Sequence, residues 1–276
     1  MLDWSSTPRS ALVVNGVTLE YACHGPSPDS SPTIVMLHEG LGSVELWRDF
    51  PEQVAARTGM GVFAYSRQGY GASDPVPLPR PLDFMTREAR DVLPGILDQI
   101  GFSKGILFGH SDGATIAALY AGGVADHRIR GLILMAPHFF TEPSGLAQIA
   151  KAAQAYESGV LRRRLARYHK DVDGAFRGWA ETWLDPSFVD WNVADTIDYF
   201  RIPVLAIQGR DDQYGTLAQI SEIEDRAYSP VDTLILDGCK HAPHQEQPDR
   251  VLAAVEDFAR RLQRIEAVDV QPGLVG

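Results

Sequence analysis

The stretch Gly105-Ile106-Leu107-Phe108-Gly109-His110-Ser111-Asp112-Gly113-Ala114 constrains this chain more than any other. Its apolar start reads as a buried strand. Gly109-His110-Ser111-Asp112-Gly113 matches G-x-S-x-G, and the small residues Ala114, Ala117 and Ala118 read as a helix packed close to a sheet. Strand, tight turn and helix in that order form the context in which this motif holds a serine in a strained turn, its hydroxyl above the sheet. Gly109 and Gly113 lack Cβ atoms and let strand and helix approach. The helix N-terminus beneath Ser111 favours negative charge. The plain alternative is a Gly-rich turn with an incidental serine, so the choice rests on partners elsewhere.

The rest of the chain supplies a matching frame. Ala11–Val14, Asn15-Gly16 and Val17–Ala22 predict an antiparallel hairpin. Thr33–Leu37, Gly61–Tyr65, Gly131–Met135, Pro203–Gln208 and Thr233–Leu236 are further apolar runs, hence buried strands. Helical patterns fall between them, at Val44–Arg57, at Phe84–Ile100 with Pro94 kinking or dividing it, and at Val251–Leu262. Alternating strands and helices predict an α/β fold: a mostly parallel twisted sheet of about eight strands, with helices on both faces. Residues 1–10 and 266–276 read as loose ends. The stretch 137–201 has no strand-like run and reads as helices over Gly145–Ser158, Gly159–Tyr168 and Val172–Leu184. At ~65 residues it far exceeds a connecting loop. It is expected to be a helical lid inserted into a core made of 1–136 and 202–276; a helical continuation of the core is the alternative.

Bulk properties narrow the partners. The net charge of −11 over 276 residues argues against nucleic acid and anionic membranes. The two cysteines, Cys23 and Cys239, form no CxxC metal pattern and no disulfide framework. The start lacks a signal-peptide pattern and no run is long enough to span a membrane. The expectation is a cytoplasmic protein acting on a small molecule, as a monomer or homodimer.

A serine hydroxyl needs a base beside it, and histidine suits that task by pKa. His24, His127 and His169 read as surface residues, whereas His38, His110 and His138 lie near the expected site. His241 follows the strand Thr233–Leu236 by a short loop, at the same sheet edge as Ser111, where open α/β sheets bind ligands. His244 is its rival. In Gly209-Arg210-Asp211-Asp212, again after a strand, Asp212 is favoured over Asp211 as the acid that orients the base. The oxyanion needs preorganised donors. These are assigned to the backbone N–H of Asp112 and of Gly40, with Leu41 the alternative to Gly40.

With these residues placed, the chain resembles the α/β-hydrolase fold enzymes of the lidded, single-domain kind. The resemblance runs over roughly residues 11–262. It is carried by His38-Glu39-Gly40-Leu41-Gly42-Ser43 with Trp47, by Ser66-Arg67-Gln68-Gly69-Tyr70-Gly71-Ala72-Ser73, and by Gly109-His110-Ser111-Asp112-Gly113. Gly209-Arg210-Asp211-Asp212 and Cys239-Lys240-His241-Ala242-Pro243 complete it. It implies a Ser111, Asp212, His241 triad in that family's chain order, with no metal or organic cofactor. Two departures stand out. Relatives have His-Gly where this chain has His38-Glu39, and Glu39 is expected to form an ion pair with Arg67 or another cation. Asp112 follows the nucleophile, which favours neutral or cationic substrates. The expected pocket residues are Glu39, Leu41, Arg67, His138, Phe139 and Trp183, with Trp179, Trp191 and Tyr156 further candidate wall aromatics. Members with an aspartate nucleophile, dehalogenases and epoxide hydrolases, are disfavoured by Ser111. The leading expectation is a serine esterase. Carbon–carbon hydrolysis of a diketo acid is the alternative, with Arg67 or the Arg162-Arg163-Arg164-Arg167 cluster holding carboxylates. A non-catalytic receptor on the same fold is the third.

Overall fold

The computed structural model describes residues 2, 4 and 9–267, so the expected loose ends lie almost wholly outside the described residues. The hairpin forms through Asn15-Gly16, from β1 (Ser10–Val14) to β2 (Val17–His24). Six further strands follow: β3 (Thr33–Leu37), β4 (Gly61–Tyr65), β5 (Gly105–His110), β6 (Ile129–Met135), β7 (Val204–Gly209) and β8 (Val231–Leu236). They join in one sheet ordered β1-β2-β4-β3-β5-β6-β7-β8. The β1/β2 and β2/β4 pairs are antiparallel and the rest parallel. The register sets Leu37 beside Gly109, His110 beside Met135 and Gly209 beside Leu236. The loops after β3, β5, β6, β7 and β8 therefore leave the sheet along one margin.

Helices cover both faces, as the near-continuous apolar strands require. On one face α1 (Phe50–Thr58) and α10 (Pro248–Ala267) bury Phe50, Val54, Val255 and Phe258 against Ile34, Met36 and Phe108. On the other, α2 (Phe84–Arg87), α3 (Leu93–Gln99), α4 (Asp112–Gly123) and α8 (Ala218–Arg226) pack on Leu37, Leu107 and Leu134. The predicted helix Val44–Arg57 is interrupted. A 3-10 turn, Val44–Trp47, ends at Arg48 with φ 55°, and α1 begins afresh with Pro51 in its first turn. Pro51 has no N–H to give the Trp47 carbonyl, so one helix cannot run through both. Pro94 acts one turn early: the π-turn Glu88–Val92 joins α2 to α3, and this wider turn surrounds the Arg90 carbonyl that Pro94 cannot serve.

α4 is buried almost all round and lies close on the sheet. A Cβ at Gly113 would stand 2.1 Å from the Leu37 carbonyl oxygen, and one at Gly109 would stand 2.2 Å from the Gly113 carbonyl oxygen. These are backbone atoms and have nowhere to go. Gly113→Ala is therefore expected to cost roughly 3 kcal/mol or more. In a chain of this size that lowers Tm by about 6–12 °C in a thermal melt. An unchanged Tm would mean that α4 stands further from β3 than described.

Between β6 and β7 lie α5 (Pro143–Glu157), α6 (Val160–Leu165) and α7 (Val172–Trp183), then two 3-10 turns. The bridge Phe140↔Asn192 ties the start of this stretch to its end. His169, expected at the surface, is 5% exposed. Its Nδ1 accepts from the Gly71 N–H at 3.0 Å and its Nε2–H donates to the Leu41 carbonyl at 3.1 Å. The Lys170 N–H donates to Gly71 O at 2.8 Å. One imidazole thus fastens the helical stretch to two core loops.

Candidate active site

Ser111 is the residue between β5 and α4, with φ 54° and ψ −121°. A non-glycine residue held there stores strain of the kind found at functional turns. The Ser111 hydroxyl lies 3.0 Å from His241 Nε2, and His241 Nδ1 lies 2.7 Å from Asp212 Oδ2. A carboxylate only accepts, so Nδ1 carries the proton and Nε2 accepts from the hydroxyl. Asp212 is fixed in turn by Gln208 Nε2 at 2.9 Å and the Tyr214 N–H at 2.8 Å. Burial pushes its carboxyl up, but the facing His241 and the Tyr214 N–H hold it below its ordinary value. Three residues distant in sequence thus meet above one sheet margin.

The rivals separate. Asp211 is exposed. His244 begins α9 (Pro243–Glu246) and is wedged between Trp47 and Phe50, ring centroids 4.9 and 5.4 Å away. Burial pushes His244 down to about 3. His138 is likewise pushed to about 3, by burial first and then by His241, and so it is a neutral wall residue.

The loop 38–43 is held from behind. His38 Nδ1–H donates to the Glu39 carbonyl at 2.6 Å while its Nε2 accepts from the Arg67 N–H at 3.0 Å. The Arg67 guanidinium donates to the carbonyls of His38 and Glu39 and stacks on Tyr70. Arg67 is 1% exposed, so it braces the loop and does not line the cavity. The expected Glu39–Arg67 ion pair is absent among the described contacts. The Glu39 carboxylate faces His110 Nδ1 instead, at 3.4 Å. Gly40 passes beneath Trp179: a Cβ there would stand 2.2 Å from the indole nitrogen.

A cavity of about 590 Å³ opens beside Ser111. Its apolar wall is Leu41, Phe140, Leu146, Ile149, Trp179 and Trp183, and Gly40, Asp112, His138, Tyr214 and His241 also border it. Its acidic side chains are those of Glu39, Asp112 and Glu142, and among the described residues no Lys or Arg borders it. Phe139 is not among the lining residues. It is fully buried, its N–H donating to Gln219, and its neighbour Phe140 takes the wall position because successive residues point to opposite sides of an extended segment. Trp191 and Tyr156 pack within the helical stretch, against Trp183 and Phe176. Arg162 pairs with Asp173 at 2.7 Å, and Arg163, Arg164 and Arg167 are exposed. Leu146, Ile149 and Glu142 were not expected from the sequence, where nothing marks which face of α5 meets the sheet margin. Asp112 is 1% exposed and its Oδ2 has no hydrogen-bond partner. Burial raises its pKa, against the pull of Arg67, Arg80, His241 and the Trp183 indole. Among the described residues no His, Cys, Asp and Glu group has a metal-holding arrangement.

A sequence model described as the alpha/beta hydrolase family matches residues 34–254. The human serine hydrolase BPHL is 25% identical over 263 residues, covering 92% of this chain and 87% of that protein. Epoxide hydrolase B of Mycobacterium tuberculosis is 25% identical over 175 residues, 63% of this chain and 45% of that protein. The chain spans less than half the length of the curated epoxide hydrolases it matches. Among solved structures, 2-hydroxy-6-oxo-6-phenylhexa-2,4-dienoate hydrolase from Rhodococcus sp. strain RHA1 is similar with a TM-score of 0.76 at 17% identity, covering 92% of this chain and 98% of that one. That likeness is one of fold.

Proposed function

The chain belongs to the alpha/beta hydrolase family, and from that membership we propose that it is a serine hydrolase cleaving a carboxylic ester, or a related acyl bond, of a small to medium neutral or cationic substrate. Ser111 attacks the carbonyl. His241 takes the hydroxyl proton and returns it to the leaving group, while Asp212 keeps the imidazole in the required tautomer. The N–H groups of Gly40 and Asp112 receive the oxyanion. Water, activated by the same imidazole, releases the acid. The observation that carries this reading is the hydrogen-bonded run Asp212–His241–Ser111 at the wall of the apolar cavity. A fluorophosphonate reports it directly: Ser111 reacts and p-nitrophenyl esters turn over. A serine that stays unlabelled removes the proposal and leaves a receptor.

The lining supports ester cleavage over carbon–carbon cleavage of a diketo acid. The latter substrate is anionic and needs a cation, and neither Arg67 nor the arginines of α6 border the cavity. The acidic side chains of Glu39, Asp112 and Glu142 line it instead and give an anion no partner. Butyrate esters are therefore expected to outrun succinate half-esters by about tenfold or more in kcat/KM. Asp112→Asn should narrow that ratio. Equal rates for the two esters in the unaltered enzyme would show that these carboxylates do not set substrate charge.

A further inference from the structure

The residue before the nucleophile has contacts that the proposed reaction leaves unused. His110 ends β5 and is 1% exposed. Its Nε2 lies 2.7 Å from the backbone carbonyl oxygen of His241. A carbonyl only accepts, so Nε2 bears a proton. Its Nδ1 has no hydrogen-bond partner, but the Glu39 carboxylate stands 3.4 Å away. Both ring nitrogens thus face acceptors, a carbonyl at Nε2 and a carboxylate at Nδ1. The Glu39 carboxyl fits this: burial pushes it up, yet His110, His38 and His244 hold it well below its ordinary value.

We propose that Glu39 and His110 form a second carboxylate–imidazole pair, whose Nε2–H grips the His241 carbonyl and positions the base for Ser111. The two pairs converge on one residue. Asp212 fixes the His241 ring through Nδ1, and His110 fixes its main chain through the carbonyl. Glu39 orients the His110 ring from its Nδ1 side. His110 is a positioning residue, since it touches the base and not the substrate. Glu39 thus serves the loop after β8 rather than Arg67. The inference rests on the serine hydrolase reading above.

The same region packs closely. The His110 and His241 rings are 5.2 Å apart between centroids. The other titratable groups around His110 are His244, with its ring 5.1 Å away, His138 beyond His241 and His38 beside Glu39. Burial lowers all three of these histidines.

The test is the rate of fluorophosphonate labelling in the full-length protein, with unaltered protein, Ser111→Ala, His110→Phe and His110→Gln. The Gln amide nitrogen reaches the place of Nε2 and keeps the donor. His110→Phe keeps a ring and removes the donor. His110→Phe is expected to label roughly a hundredfold more slowly. His110→Gln should recover at least tenfold of that. If His110→Gln labels no faster than His110→Phe, the proposal is overturned and His110 is packing. Should His110→Phe fail to fold, His110→Leu takes its place as the variant without the donor. Failure of the underlying reading looks different: the unaltered protein then does not label, or Ser111→Ala labels equally well.

Discussion

Ser111→Ala is expected to lower kcat for ester hydrolysis by roughly 10⁴- to 10⁶-fold, with KM changed far less. The methyl group cannot form the acyl-enzyme, and what remains is the contribution of the oxyanion donors and the bound substrate. The fold should survive. Ser111 Oγ makes a single side-chain hydrogen bond, to His241, and Ala tolerates the same backbone region about as well as Ser does. Tm should therefore stay within a few degrees. Purified Ser111→Ala retaining more than about 1% of the rate, against a contamination control, would place the nucleophile elsewhere.

The second large effect is on stability. His38, His138, His169 and His244 are 0%, 7%, 5% and 4% exposed, and burial lowers the pKa of each. In the unfolded chain the same imidazoles titrate near 6.5. A group with a lowered folded pKa binds its proton first in the unfolded state, so stability rises with pH through that range. Their contribution is complete above about pH 7 and is lost as pH falls below about 6.5 towards the folded values. His138 and His244, both pushed to about 3, then each cost roughly 2 kcal/mol between pH 7 and pH 5. Together these two remove about 4 kcal/mol, a large part of a typical folding free energy, and His38 and His169 act in the same direction. Denaturant midpoints at pH 7, 6 and 5 should fall steeply. A flat profile would mean that these rings are solvated or already charged.

Most of the frame was legible because a buried parallel strand leaves a short, largely apolar run. Thr33–Leu37, Gly61–Tyr65 and Gly105–His110 all read so. The triad partners were legible by position: Asp212 and His241 each follow such a run, and the loops after these strands leave one margin. Other features depend on contacts between distant loops, which spacing does not encode. His169 looked like a surface histidine because its partners, Gly71 and Leu41, are about a hundred residues away or more. Arg67 and Glu39 looked like a pair because they are opposite charges on neighbouring loops, yet Arg67 had two carbonyls within reach. Phe139 and Phe140 differ by one position, and only the path of the chain out of β6 decides which meets the cavity.

The contact between Gly40 and the Trp179 indole bears on how poor substrates fail. No atom fits between them, so the indole cannot move toward Gly40 without displacing the peptide proposed to meet the oxyanion. An oversized acyl chain that presses the indole that way turns the peptide from its aim. Misfit then appears as lost turnover rather than lost occupancy, and chain-length discrimination becomes a kinetic filter. Guests slightly too large dwell in the cavity and block it.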